Sequence, residues 1–170
     1  MKKIFIDGYN VINSWPNLKK AITYSYEAAR QELIEILQNF ANFDDCNIEI
    51  VFDAHKVGGN LEKKEIIDSR LTVIFTKDGE TADSYIERSV NELGRRFEIW
   101  VVTSDWLEQQ TIFQRGATRI SALEFYHETI QMKKEIKSET EKITKGKKNL
   151  LEDSLDEMVL EKLNKIRRSR

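Results

Sequence analysis

The sequence predicts an α/β fold: a mainly parallel central sheet of about four strands flanked by helices, followed by a C-terminal helical extension. Three observations predict it. Four short runs rich in Ile, Val and Phe recur along the chain, amphipathic stretches separate them, and each run leads within a few residues to an acid. Continuous rather than alternating apolar runs suit strands covered on both faces, the usual state of parallel strands.

The first strand is "KIFID" (3–7), followed by a loop that holds the only proline, Pro16. In "SYEAARQELIEILQNFANF" (25–43), Ala29, Leu33, Ile36, Leu37 and Phe40 fall on one helical stripe. "IEIVFD" (48–53) is the second strand, and "HKVGGNLEKKEIIDSR" (55–70) reads as a charged, glycine-containing loop. "LTVIFT" (71–76) is the third strand. A helix over 81–97 then places Tyr85, Ile86, Val90, Leu93 and Phe97 on one side. "EIWVVT" (98–103) is the fourth strand, and helical patterns follow over 105–116 and 121–143. The Lys-rich "TKGKKN" (144–149) reads as a polar break before a last amphipathic helix carrying Leu151, Leu155, Met158, Val159, Leu163 and Ile166. The expected organisation is one domain over 1–143 and a charged helical extension over 144–170.

Composition excludes several classes of function. At 40% hydrophobic and 33% charged, the chain reads as globular rather than disordered. No run approaches the roughly 20 apolar residues that span a bilayer, and "MKKIFID" is too short an apolar start for a signal peptide, so the expected location is cytoplasmic with no membrane partner. A single cysteine, Cys46, excludes internal disulfides and cysteine zinc sites. The charge is uneven. Residues 1–126 hold 15 Lys+Arg against 20 Asp+Glu, whereas residues 127–170 hold 12 against 9. Only the C-terminal end, finishing in "KIRRSR", carries the excess positive charge expected of a polyanion-binding surface.

The acids then decide the reading. Asp7 and Asp53 end the first and second strands, Asp105 follows the fourth through Thr103-Ser104, and "KDGETAD" leads from the third strand through Glu80 to Asp83 in a helical first turn. Ligands bind at the carboxyl edge of an open α/β sheet. Carboxylates gathered there repel one another unless a cation sits among them, and the hard ions Mg²⁺ or Mn²⁺ prefer such oxygen ligands. Each acid also has a plain structural role open to it. Asp83 suits the positive end of its helix behind a Thr81 N-cap, and Asp105 suits an N-cap with Glu108 three residues on. Asp53 suits a solvated loop, and Asp78 and Glu80 suit a turn. Asp7 is harder to account for, because its strand offers no evident cap for it to make.

Around these acids, Asn10 can donate its amide to a phosphate oxygen or a bound water, or organise an Asx-turn. Ser104 can offer a hydroxyl or act as a cap. Lys56, Lys63, Lys64 and Arg70 on the 55–70 segment can meet a nucleic-acid backbone, while His55 is read as a solvated loop residue. Tyr9, Trp15, Tyr24 and Trp106 are stacking surfaces or packing groups.

Together, "IDGYNVI", "VFDAH", "VIFTKDGETADSYIER" and "VVTSDW" closely resemble the YacP-like branch of the NYN domain family, within the wider PIN-like nuclease group. The resemblance runs from about residue 2 to about residue 140. It implies a PIN-like fold and a metal-dependent endoribonuclease acting on mRNA with Mg²⁺ or Mn²⁺. It assigns inner carboxylates to Asp7, Asp83 and Asp105 and the family's asparagine to Asn10, with Asp53 and Glu80 as outer or fourth ligands. It also implies the translating ribosome as a partner.

Three other readings compete with this one. An aspartyl-nucleophile phosphatase needs a second Asp two residues after the first, and position 9 is Tyr. A dinucleotide-binding dehydrogenase needs a GxGxxG after a strand, and none is present. A non-catalytic RNA- or ribosome-binding module on the same fold is the alternative function. The retention of Asp7, Asn10, Asp83 and Asp105 argues against it.

Overall fold

The computed structural model describes residues 2–53, 61–104 and 116–153, together with residues 159, 161, 162 and 164. In chain order the elements are β1 (Lys2–Asp7), α1 (Gly8–Ser14), α2 (Pro16–Ile22), α3 (Tyr26–Phe43), β2 (Asn47–Phe52), β3 (Lys63–Ile66), β4 (Leu71–Phe75), α4 (Ala82–Leu93), a 3₁₀ turn (Gly94–Arg96), β5 (Glu98–Val102), β6 (Thr118–Ile120) and α5 (Ala122–Asp153).

These strands form one six-stranded sheet in the order β3-β4-β2-β1-β5-β6. All neighbours are parallel except β3, which runs antiparallel to β4. β1 is central: Ile6 lies opposite Ile50 on one side and Val102 on the other. The sheet is therefore wound outward from β1 in both directions, and the crevice beyond the carboxyl end of β1 is the switch point where α/β sheets take ligands.

The expected pattern of burial on both faces holds for the four central strands. Phe5, Val51, Ile74 and Val101 pack with Tyr85, Ile86 and Val90 of α4. On alternate positions, Ile4, Ile6, Ile48, Ile50 and Val73 are buried as well. α3 contacts β2 and β4 and buries Ala29, Leu33, Ile36, Leu37 and Phe40, the stripe read from the sequence. Ser25 starts that helix by accepting the Ala28 N–H at 2.9 Å. Thr81 starts α4 by accepting the Ser84 N–H at 3.2 Å. Ser121 and Glu124 open α5 with a reciprocal capping box. Trp15 is fully buried, and its indole N–H donates to the Ala122 carbonyl at 2.7 Å, so it is a packing group rather than a stacking surface.

The structure corrects several sequence expectations. The sheet has six strands rather than about four. Part of the 55–70 segment, read as loop, forms β3; it pairs on one side only and is largely exposed, so it carries no apolar signal. The three residues of β6 are too few to show a period. The stretch after β1 holds two seven-residue helices, and Pro16 is the first residue of α2, where a proline costs nothing because that N–H has no helical partner. α4 ends at Leu93, so Phe97 lies beyond it and is 37% exposed. Residues 144–149, read as a break, are helical and belong to α5.

Two compact units divide the chain, Met1–Ile130 and Gln131–Arg170. In the second unit the helical run from Gln131 to Asp153 is exposed along most of its length to Thr144. The separate terminal helix expected from the sequence lies largely outside the described residues. No helix among the described residues is long and apolar enough to cross a membrane.

Candidate active site

A recess of about 270 Å³ opens at the carboxyl edge of the sheet, lined by Asp7, Tyr9, Asn10, Asn13, Asp53, Thr81, Ala82 and Asp83. Three carboxylates reach it from separate elements: Asp7 from the end of β1, Asp53 from the residue after β2, and Asp83 from the first turn of α4.

Asp7 does have a cap to make. Its side chain is the N-cap of α1 and accepts the Asn10 N–H at 3.0 Å. The sequence showed no cap because α1 is too short for a hydrophobic stripe. The glycine after it is fixed by packing: a Cβ on Gly8 would stand 2.7 Å from Cδ1 and Cζ of the buried Phe52 ring. Asn10 then crosses the switch point. Its side-chain oxygen accepts the Ser104 N–H at 3.1 Å, tying the start of α1 to the segment after β5. With that oxygen committed, the amide N–H₂ of Asn10 is the end left for a ligand. Ser104 thus enters the site through its backbone N–H. Asn13 donates its amide to the Tyr9 carbonyl at 2.8 Å, and Ser14 donates its hydroxyl to the Asn10 carbonyl at 2.7 Å, which stiffens the turn.

The electrostatics follow from this geometry. Burial is the largest influence on Asp7 and lifts its carboxyl from 3.8 to about 6. The Asn10 and Tyr9 N–H groups oppose the rise, and the nearby Asp83 and Asp53 carboxylates add to it. A carboxylate strained in this way gains from an incoming cation. The donor set is all hard oxygen, which suits Mg²⁺ or Mn²⁺. Among the described residues no three acids form a ready-made metal cluster.

The other expected residues divide. Glu80 does not line the recess; its Oε1 accepts from Arg88 Nη2 at 3.0 Å and from Arg88 Nε at 3.3 Å. Lys63 and Lys64 lie on edge strand β3, with Lys63 paired to Glu65. Asp105, Lys56, His55 and Trp106 lie outside the described residues. Tyr9 is 6% exposed and packs edge-on against Phe52 and Tyr26, so it is a wall and not a stacking platform. Tyr24 is 88% exposed. Asn13 and Thr81 line the recess without having been read as site residues. Asn13 follows Asn10 by three residues and shares its face only if 8–14 is a helix.

Comparison with known proteins agrees with this architecture. The profile of the YacP-like NYN domain matches residues 4–168. The chain belongs to the YacP-like NYN family. The YacP protein of Bacillus subtilis (strain 168) is 40% identical over 169 residues, covering 99% of this chain and 98% of that one. The crystal structure of Rae1 (YacP) from Bacillus subtilis superposes with a TM-score of 0.74 at 38% identity, over 99% of this chain and 95% of that one. The crystal structure of a point mutant of Rae1 gives the same TM-score at 37% identity over 85% of each chain. The fold is thus the nuclease-type, PIN-like NYN fold that the sequence blocks resemble.

Proposed function

We propose that this chain is a metal-dependent endoribonuclease that hydrolyses RNA phosphodiesters, cleaving mRNA in association with the translating ribosome. One observation carries the reading. Asp7, Asp53 and Asp83 from three elements share one open recess at the switch point of a nuclease-type fold, and burial with mutual repulsion holds Asp7 at about 6. Asp7 caps α1 and Asp83 suits the first turn of α4, but neither role requires these two carboxylates and Asp53 to line one recess.

Asp7 and Asp83 would hold Mg²⁺ or Mn²⁺, with Asp53 as an outer ligand and Asp105 completing the set the family resemblance implies. When bound, the ion supplies Lewis-acid charge for the negative charge that develops on the phosphate. The chain's own residues do the rest. The amide of Asn10, fixed by its bond to Ser104, donates to a phosphate oxygen and orients the scissile group. Asp7 is set in position by the Asn10 N–H and cannot swing away as the charge shifts. Water adds to phosphorus and gives up a proton, the bond to the 3′ oxygen breaks and that oxygen takes up a proton, so the phosphate stays on the 5′ end of the downstream fragment. The ribosome as partner is drawn from the family resemblance, and the acidic balance of residues 1–126 favours a substrate presented by another body.

The test is cleavage of an mRNA under active translation in a purified Mg²⁺ system, comparing wild type with Asp83→Asn and with naked RNA as control. Asp83→Asn is expected to remain folded and to lower cleavage by at least about a hundredfold. Cuts that need both translation and Asp83 support the whole reading. Naked RNA cut equally well removes the ribosome from it, and cutting unaffected by Asp83→Asn refutes the site.

A further inference from the structure

One cation beside the recess has no role in the site as described. Arg30, in the second turn of α3, is half-buried. Its Nη1 donates to the Tyr9 hydroxyl at 3.2 Å, and Tyr9 is a wall of the recess. The guanidinium carbon lies 6.0 Å from the centroids of both the Phe52 and Phe75 rings. Tyr26, one turn earlier on the same helix, is 43% exposed and meets Tyr9 edge-on at 5.9 Å. From β3, Lys63 Nζ also lies 6.0 Å from the Phe75 ring.

What Arg30 lacks is an anion. Among the described residues Lys2, Lys3, Lys63, Arg70 and Arg88 each pair with a carboxylate, and Arg30 forms no such pair. A guanidinium has five N–H donors in a planar fork. Here one of them goes to a neutral phenol, and the ring faces stand at the outer limit of cation–π distance. Half-burying a charge with so little compensation costs stability, whereas a phosphate would accept from the fork with charge-assisted bonds. A packing role alone would be served as well by an uncharged chain.

We propose that Arg30 binds a phosphate of single-stranded RNA adjacent to the one being cut. This rests on the nuclease reading above and adds a substrate-holding residue to it. Asp7, Asp53 and Asp83 carry more negative charge than one divalent ion offsets, so a cation beside the recess favours holding the strand in register.

The experiment measures equilibrium binding of a labelled single-stranded RNA oligonucleotide to the full chain in Mg²⁺ across a salt series, beside the mRNA cleavage assay. Arg30→Met keeps an apolar chain over the Phe52 and Phe75 rings and removes the charge. It is expected to weaken binding by about tenfold or more and to lower the slope of log affinity against log salt by about 0.7, the value of one phosphate contact on a single strand. Arg30→Lys should restore the slope. Should Arg30→Met fail to fold, Arg30→Gln takes its place and must show the same change in slope. Wild-type affinity and slope in the charge-free variant would overturn the proposal while leaving the nuclease intact. Arg30-dependent binding with no cleavage by wild type, translating or naked, would support the contact and refute the enzyme. No RNA binding by wild type would overturn the proposal.

Discussion

Replacing Asp7 with Asn separates two things the side chain does. Asn caps a helix about as well as Asp, so the bond from the Asn10 N–H survives, while the buried charge beside Asp83 and Asp53 disappears. The size of the effect comes from the displaced carboxyl. Asp7 moves from 3.8 to about 6 on folding, and each unit corresponds to about 1.4 kcal/mol, so ionised Asp7 costs the folded state about 3 kcal/mol in the absence of a cation.

The sign is set by proton binding. Between pH 3.8 and about 6 the folded chain holds the Asp7 proton and the unfolded chain has lost it. The contribution of Asp7 to stability therefore falls as pH rises through that window and stays low above it. Urea denaturation in EDTA should find Asp7→Asn more stable than wild type at pH 7.5, by up to about 3 kcal/mol, with the difference shrinking toward zero at pH 4. Added Mg²⁺ should stabilise wild type more than Asp7→Asn, because the variant keeps Asp83 and Asp53 but lacks the buried carboxylate that gains most from the ion. A variant less stable than wild type at pH 7.5, or a difference independent of pH, would refute the assignment of a strained carboxylate.

Two further outcomes follow from the same geometry. Gly8→Ala drives a Cβ into the Phe52 ring, which Tyr9 and Phe75 already hold at 5.0 and 5.6 Å; chemical denaturation should show a loss of about 1–3 kcal/mol, although Ala favours a helix over Gly by about 1 kcal/mol. Asn10→Asp keeps an acceptor for the Ser104 N–H but adds a carboxylate to the recess, so the Asp7 titration followed by carbon-detected NMR should move above about 6, and an unmoved titration would show that the two groups do not share the recess.

The sequence made β1, β2, β4 and β5 legible because both of their faces are buried, which leaves uninterrupted Ile, Val and Phe. It hid β3 and β6, since an exposed edge strand needs no apolar code and three residues cannot display one. The long helices showed their stripes, whereas α1 and α2 span two turns each, too short for periodicity, and a proline at a helix start looks the same as a proline in a loop. The same blind spot ran through the site. Asp7, Asp53 and Asp83 were found because strand ends and a capped helix start mark them, but the role of Asp7 as an N-cap and the place of Asn13 required α1 to be seen. Arg30 gave no signal, because it reaches Tyr9 only when α3 folds back over β2 and β4.

The recess shows how a short sequence can meet structural and chemical demands with the same atoms. An N-cap carboxylate is ordinarily stabilised by the N–H groups it accepts from, yet at Asp7 burial outweighs them, so the cap fixes the position of the group without relieving its charge. Asn10 works in the same divided way: its backbone N–H holds Asp7, its side-chain oxygen holds the segment after β5, and its amide nitrogen is left over. Two residues thereby lock β1, α1 and the end of β5 into one geometry before any ligand arrives, which is what an oxygen-lined site needs if binding energy is to act on the substrate instead of ordering the protein. The cost of that position is a buried charge at Asp7 that the Asn10 and Tyr9 N–H groups offset only in part, and under the proposed function a bound cation would offset the rest.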